Sequence, residues 1–178
     1  EIIKIAINTL GLNELADFNP KERIIEYILE KKEKKLIDLD LQSFTNETSS
    51  ESPAPGGGSI SAYCGAMGIA LGTMVANLSS HKRGWDDRWE EFSDWAEKGL
   101  EYQNTLLGLV DEDTNAFNKI MDAYRLPKES PTDKKKRDEA IQQATKYAIL
   151  TPFKVMEVAY QSMEVIKVMA EIGNPNSV

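Results

Sequence analysis

The chain has a single cysteine and a single histidine in 178 residues. One cysteine permits no internal disulfide and no thiolate cluster, and it suits a reducing compartment. One histidine, His81, excludes a multi-histidine metal site, and no acidic neighbour in sequence supports it as a catalyst. Basic residues are also in deficit, with 21 Lys and Arg against 29 Asp and Glu and a net charge of -8. That balance argues against nucleic acid or an anionic membrane as the main partner. No uninterrupted apolar run approaches the roughly 20 residues that a spanning helix needs. Glu1 and Lys4 interrupt the short apolar start, so it does not read as a signal peptide. The expectation is a soluble, cytoplasmic protein with no membrane span. Internal repeats and low-complexity segments are missing, and strand alternation is nearly absent beyond the first ten residues. A hydrophobic fraction of 41% is nevertheless enough for a real core, in one domain or a domain with an appendage.

What is present begins with Ser52-Pro53-Ala54-Pro55-Gly56-Gly57-Gly58-Ser59. The prolines hold the approach extended, three glycines allow close backbone approach, and Ser59 is an N-cap candidate. A helix follows to Ser80, unusually rich in small residues: Ala62, Gly65, Ala66, Gly68, Gly72 and Ala76. Each interior glycine costs about 1 kcal/mol relative to alanine, so a compensating reason is required. Close helix packing accounts for the interior glycines; a ligand lying against the Gly56-Gly57-Gly58 turn accounts better for the turn.

The remaining chain reads as helices too. Glu1 to Leu10 forms a short helix ended by Gly11. A clearer one runs from Pro20 to about Leu36, with Asn19 as its cap and Lys31–Lys35 as its solvated end. Leu36 to about Thr48 is a short amphipathic helix. A long helix spans about Asp86 to Tyr124, with kink points at Gly99 or Gly108, and another spans about Thr132 to Ile172, kinked at Pro152. The fold class is all-α, a bundle of long antiparallel helices behind a short N-terminal segment.

Among the acidic residues, Asp113 shares its helical stripe with Leu106, Leu109, Val110, Phe117 and Ile120, the face expected to point inward. A carboxylate there requires partners or a shifted protonation equilibrium, so it is either a site group or a well hydrogen-bonded one. Asp111 falls on a more polar line. Arg125 and Lys128 complement the end of that helix and sit about three turns from Asp113. Cys64 reads as a small core residue, the three tryptophans as packing, and Asn174 and Asn176 as turn formers beside Gly173 and Pro175.

Residues 53–80 resemble the opening motif of the cyclodeaminase/cyclohydrolase family that works on tetrahydrofolate. Leu109-Val110-Asp111-Glu112-Asp113-Thr114-Asn115-Ala116-Phe117, Arg125-Leu126-Pro127-Lys128 and Gly173-Asn174-Pro175-Asn176-Ser177 agree with it. Leu10-Gly11-Leu12 and residues 18–27 resemble the end of a formiminotransferase domain and the linker behind it, as in formiminotransferase-cyclodeaminase. The resemblance implies two parts: residues 1–35 as that tail and linker, and residues 36–178 as a helical domain whose later helices are missing here. It implies cyclisation of 5-formimidoyltetrahydrofolate to 5,10-methenyltetrahydrofolate with loss of ammonia, in a parent that also transfers the formimidoyl group from formiminoglutamate in histidine degradation. It implies Asp113 as acid/base with Asp111 as a partner, and Gly56, Gly57, Gly58 and Ser59 cradling the ligand. Arg125 and Lys128 would meet a polyglutamate tail, and Asn174 and Asn176 the pterin edge. No metal or redox cofactor would be required, and the assembly would be a homodimer at least. Two alternatives remain: methenyltetrahydrofolate cyclohydrolase, and a non-catalytic helical assembly module.

Overall fold

The computed structural model describes residues 2–15, 18–25 and 35–177. The chain divides at Lys35 and Leu36 into two compact units. The first contains α1 (Ile2–Thr9), α2 (Leu12–Leu15) and α3 (Pro20–Arg23). Gly11, at φ +62°, takes the left-handed conformation that separates α1 from α2. Pro20 opens α3, where its missing N–H costs nothing, and the Arg23 amide donates to the Asn19 carbonyl at 3.1 Å. The expected continuation through Lys31–Lys34 lies outside the described residues.

The second unit begins with a 3-10 turn, Leu36–Asp38, and α4 (Leu41–Thr48). The single amphipathic helix expected here is therefore two pieces. Asp40 divides them by capping α4: its carboxylate accepts from the Ser43 amide at 2.8 Å and the Ser43 hydroxyl at 2.7 Å. Those bonds hold its pKa below the ordinary value. Three long helices follow: α5 (Gly57–Ser80), α6 (Trp89–Arg125) and α7 (Pro131–Ile172). Their short connections make sequence neighbours antiparallel, as in a bundle. A capping box at Ser130 and Asp133 starts α7, and Pro152 lies inside it. No strand occurs among the described residues.

The core lies between these three helices and includes Ile69, Phe92, Leu106, Val110, Val165 and Met169, each nearly or fully buried. The small residues of α5 make this closeness possible. A Cβ on Gly65 would sit 3.3 Å from Leu106, and one on Gly72 3.1 Å from Ile166. On α6, a Cβ at Gly99 would meet the Thr73 hydroxyl and approach the Thr73 Cβ to 3.3 Å. Packing thus accounts for Gly65, Gly72 and Gly99, whereas nothing lies within 4 Å of a Cβ at Gly68.

By length and hydropathy (1.4), α5 alone among the described helices is apolar enough to cross a membrane. It is uncharged throughout, which the sequence reading of apolar runs passed over. About 44% of that window is buried inside the bundle, as suits a core helix.

Because α5 starts beside Asp113, the last three turns of α6 run past it alongside the start of α7, with Phe117 near Pro53 and Ala54 of the approach loop. They project about 18 Å beyond α5 as a two-helix hairpin. Small buried residues, Ala116, Ala123 and Ala144, close its seam. Phe117, expected on the inward stripe, is consequently 41% exposed. Cys64 is exposed rather than in the core. Trp85 stacks on Phe92 at 5.4 Å, whereas Trp89 is largely exposed.

Candidate functional site

The N-terminus of α5 meets the middle of α6 around Asp113. Gly56 is the N-cap and has no side chain with which to cap. Ser59, expected in that role, is instead the third helical residue and fully buried. Its hydroxyl turns away from the helix start and donates to the Val110 carbonyl at 2.8 Å. The capping function comes from another helix: the Asp113 carboxylate accepts from the Ser59 amide at 3.0 Å and lies 3.3 Å from the Ser59 hydroxyl. A carboxylate is favoured there, because unpaired amides and the helix dipole make the N-terminus electropositive. Asp113 is therefore well hydrogen-bonded, with its other oxygen close to Gly58.

The two glycines at this start differ sharply. A Cβ on Gly58 would fall 2.5 Å from the Asp113 Cγ and 2.7 Å from Oδ2, so the close approach requires glycine. A Cβ on Gly57 would meet nothing within 4 Å. At Gly56 the distance to Asp113 Oδ2 would be an ordinary 3.6 Å.

Beside this contact lies a cavity of about 180 Å³. The approach loop contributes Pro53, Ala54 and Gly56, and α6 contributes Asp113, Thr114 and Phe117, with Ala148 of α7 opposite. Its chemistry is a carboxylate and a hydroxyl set against flat apolar walls. Thr114, Phe117, Pro53, Ala54 and Ala148 were not among the site residues expected from the sequence. Phe117 carried a signal, one helical turn after Asp113, but the inward stripe absorbed it.

Other expected site residues do not gather here. Asp111 faces another side of α6, where its Oδ1 accepts from the Leu36 amide at 2.6 Å and holds the 3-10 turn. Arg125 is exposed and pairs with Asp122 at 3.1 Å; Lys128 is exposed beyond it. Asn174 and Asn176 sit at the opposite end of α5. The Asn174 amide donates to the Ser79 hydroxyl at 2.9 Å, and the Asn176 amide to the Asn174 side-chain oxygen at 3.2 Å. Twenty helical residues separate Ser59 from Ser79, about 30 Å. His81 ends α5 with its ring Nδ1 3.0 Å from the Asn77 carbonyl.

The model of the formiminotransferase-cyclodeaminase family matches residues 40–178, and that of the formiminotransferase domain matches residues 1–30. Rat (Rattus norvegicus) formimidoyltransferase-cyclodeaminase is 35% identical over 174 residues, covering 97% of this chain and 32% of the relative. The chain thus spans about a third of the length of the first curated relatives it matches. Methenyltetrahydrofolate cyclohydrolase from Methylorubrum extorquens is 35% identical over 136 residues, covering 76% of this chain and 65% of that protein. The crystal structure of formiminotetrahydrofolate cyclodeaminase from Thermotoga maritima superposes with a TM-score of 0.65 at 32% identity, covering 78% of this chain and 65% of that one. With a family model matched across the whole three-helix bundle, the chain belongs to the formiminotransferase-cyclodeaminase family.

Proposed function

We propose that the helical unit cyclises 5-formimidoyltetrahydrofolate to 5,10-methenyltetrahydrofolate with release of ammonia. The observation that carries this reading is the Asp113 carboxylate, fixed at the α5 N-terminus and lining a cavity with an aromatic wall. The folate N10 attacks the formimidoyl carbon on N5, forming the new N–C bond. The N10 proton passes to the former imine nitrogen, one further proton is taken up there, and ammonia leaves. No electrons are transferred, so the step as written uses no redox cofactor. The attack is intramolecular, and fixing N10 over the carbon is the first task of the site. Asp113 relays the proton between the two nitrogens, a role worth about 10²–10⁴-fold in rate. Gly56 brings backbone close to the ligand, Gly58 leaves room for the Asp113 carboxylate beside it, and Phe117 gives a flat ring a surface to lie on.

The cavity is smaller than the roughly 300–1,000 Å³ of sites that enclose a drug-sized ligand. It takes the reacting bridge of the folate; the glutamate tail extends outside, toward Arg125 and Lys128. Asn174 and Asn176, about 30 Å away along α5, could reach the pterin edge only from another subunit. The working form is read as a homodimer at least, inside a longer parent whose transferase part supplies the formimidoyl group.

Methenyltetrahydrofolate cyclohydrolase activity is the second reading, favoured by the Methylorubrum extorquens relative, which aligns with 136 residues of this chain. Residues 1–30 favour the first, since a formiminotransferase segment has a use where formimidoyl groups are delivered. In the complete parent, Asp113→Asn is expected to lower ring-closure turnover at least about a hundredfold while helix content and folate binding persist. Near-normal turnover removes Asp113 from the chemistry. Hydrolysis of methenyltetrahydrofolate without any ammonia release from the formimidoyl substrate selects the second reading.

A further inference from the structure

Ser59 is buried against α6 in a way that redirects the hydroxyl of one threonine. Thr45, Thr48, Thr73, Thr105 and Thr151 each return the hydroxyl proton to the carbonyl four residues back, at 2.7–3.0 Å. That is the ordinary arrangement for a threonine inside a helix. For Thr114 the corresponding carbonyl belongs to Val110, and it already accepts from the Ser59 hydroxyl at 2.8 Å. The Thr114 hydroxyl lies instead 3.5 Å from Ser59 Oγ.

Three proton-carrying groups are thereby joined in series. Ser59 Oγ is 3.3 Å from Asp113 Oδ2 on one side and 3.5 Å from Thr114 Oγ1 on the other. The two ends of the series, Asp113 and Thr114, both line the cavity of about 180 Å³, whereas the middle, Ser59, is fully buried. The other lining residues, Pro53, Ala54, Gly56, Phe117 and Ala148, carry no side-chain group that can pass a proton. A proton entering at one end therefore has a path to the other that crosses neither solvent nor the cavity.

We propose that Thr114 is a second catalytic residue, which delivers through Ser59 the proton that Asp113 accepts. This inference rests on ring closure taking place at this site. The N10–H bond breaks toward the Asp113 carboxylate. The protonated carboxyl donates to Ser59 Oγ, and the Ser59 proton moves to Thr114 Oγ1. The Thr114 proton then forms the new N–H bond on the former imine nitrogen. Both hydroxyls are regenerated and Asp113 is again a carboxylate, so one proton has moved and no electrons have. A hydroxyl proton rotates to suit its partner, so Ser59 can turn from Val110 to Thr114 without moving a heavy atom. The links are longer than the roughly 2.5–3.0 Å of an O–H···O bond, and catalytic contacts of this kind tighten when substrate is held. A relay with separated ends suits the reaction, because the proton leaves one nitrogen and is needed on another.

The test compares two variants of the complete parent: Thr114→Val, which keeps the branched shape without the hydroxyl, and Thr114→Ser, which keeps the hydroxyl. The valine variant should lose at least about tenfold in the single-turnover rate of ring closure, with folate affinity and helix content unchanged. The serine variant should recover most of that loss. In mixtures of light and heavy water the native rate should fall along a curve, as when several protons move together, and the Thr114→Val rate along a straight line. A near-normal rate in Thr114→Val, equal losses in the two variants, or a straight line for the native protein overturns the proposal. Asp113→Asn measured alongside separates it from the reading it rests on. If that variant is inactive while Thr114→Val is normal, the relay alone falls; if Asp113→Asn turns over normally, the assignment of Asp113 falls and the relay with it.

Discussion

Alanine at Gly58 should destabilise the bundle, although helix propensity alone says the opposite. Replacing a helical glycine by alanine ordinarily stabilises by up to about 1 kcal/mol. At Gly58 the new Cβ would lie 2.5 Å from the Asp113 Cγ. The backbone need not move, since the carboxylate can rotate away, but it then gives up the 3.0 Å bond from the Ser59 amide. An N-cap interaction is worth about 0.5–2 kcal/mol, and a hydrogen bond to a charged group about 1.5–3 kcal/mol. Subtracting the propensity gain of up to about 1 kcal/mol from the charged-bond figure leaves a net loss of roughly 0.5–2 kcal/mol, or a fall in Tm of about 1–8 °C for a domain of this size. Gly57→Ala is the matched control. It lies one residue earlier, in open space, so it should be neutral or stabilising by up to about 1 kcal/mol. Thermal and urea unfolding followed by circular dichroism would measure both. Equal stability of the two variants would refute the idea that Asp113 caps α5 through a glycine-sized gap. If Asp113 also moves the proton, Gly58→Ala should lose turnover beyond its loss of stability, and Gly57→Ala should not.

Asp111→Ala should cost about 1–3 kcal/mol by freeing the Leu36 amide, with residual turnover following the folded fraction; a catalytic loss in fully folded protein would return Asp111 to the chemistry. The Lys98–Glu164 pair joins α6 to α7 at 2.7 Å, and that hydrogen bond raises the lysine pKa above 10.5. A raised lysine contributes stability that is complete below its unfolded pKa and is lost as pH rises through the folded one. Lys98→Met should therefore weaken the protein by only about 0.2–1 kcal/mol near neutrality, since the pair is exposed, and the difference should vanish on alkaline titration. A difference that persists at high pH would mean the lysine stem, not the charge, makes the contribution.

Periodicity and composition carried the helical class and the three long helices, because both are local properties. Apolar residues at helical spacing and the scarcity of strand alternation needed no knowledge of what packs where. The sequence also marked Asp113 as out of place and Gly56 to Ser59 as unusual. It could not tell that these two signals belong together. They lie 54 positions apart, and only the antiparallel pairing of α5 with α6 brings the Ser59 amide to that carboxylate. The same pairing decided which glycine matters, since Gly57 and Gly58 look alike in sequence and differ only in what faces them. It also divided the aspartates, turning Asp111 toward Leu36 and Asp113 toward the cavity, because residues two apart on a helix point about 200° apart. Phe117 was misread for a related reason: an inward stripe stays inward only as far as its neighbour extends, and α5 starts beside Asp113. Which residues can be buried is written in the chain; which ones find a partner depends on where each helix begins and ends against the others.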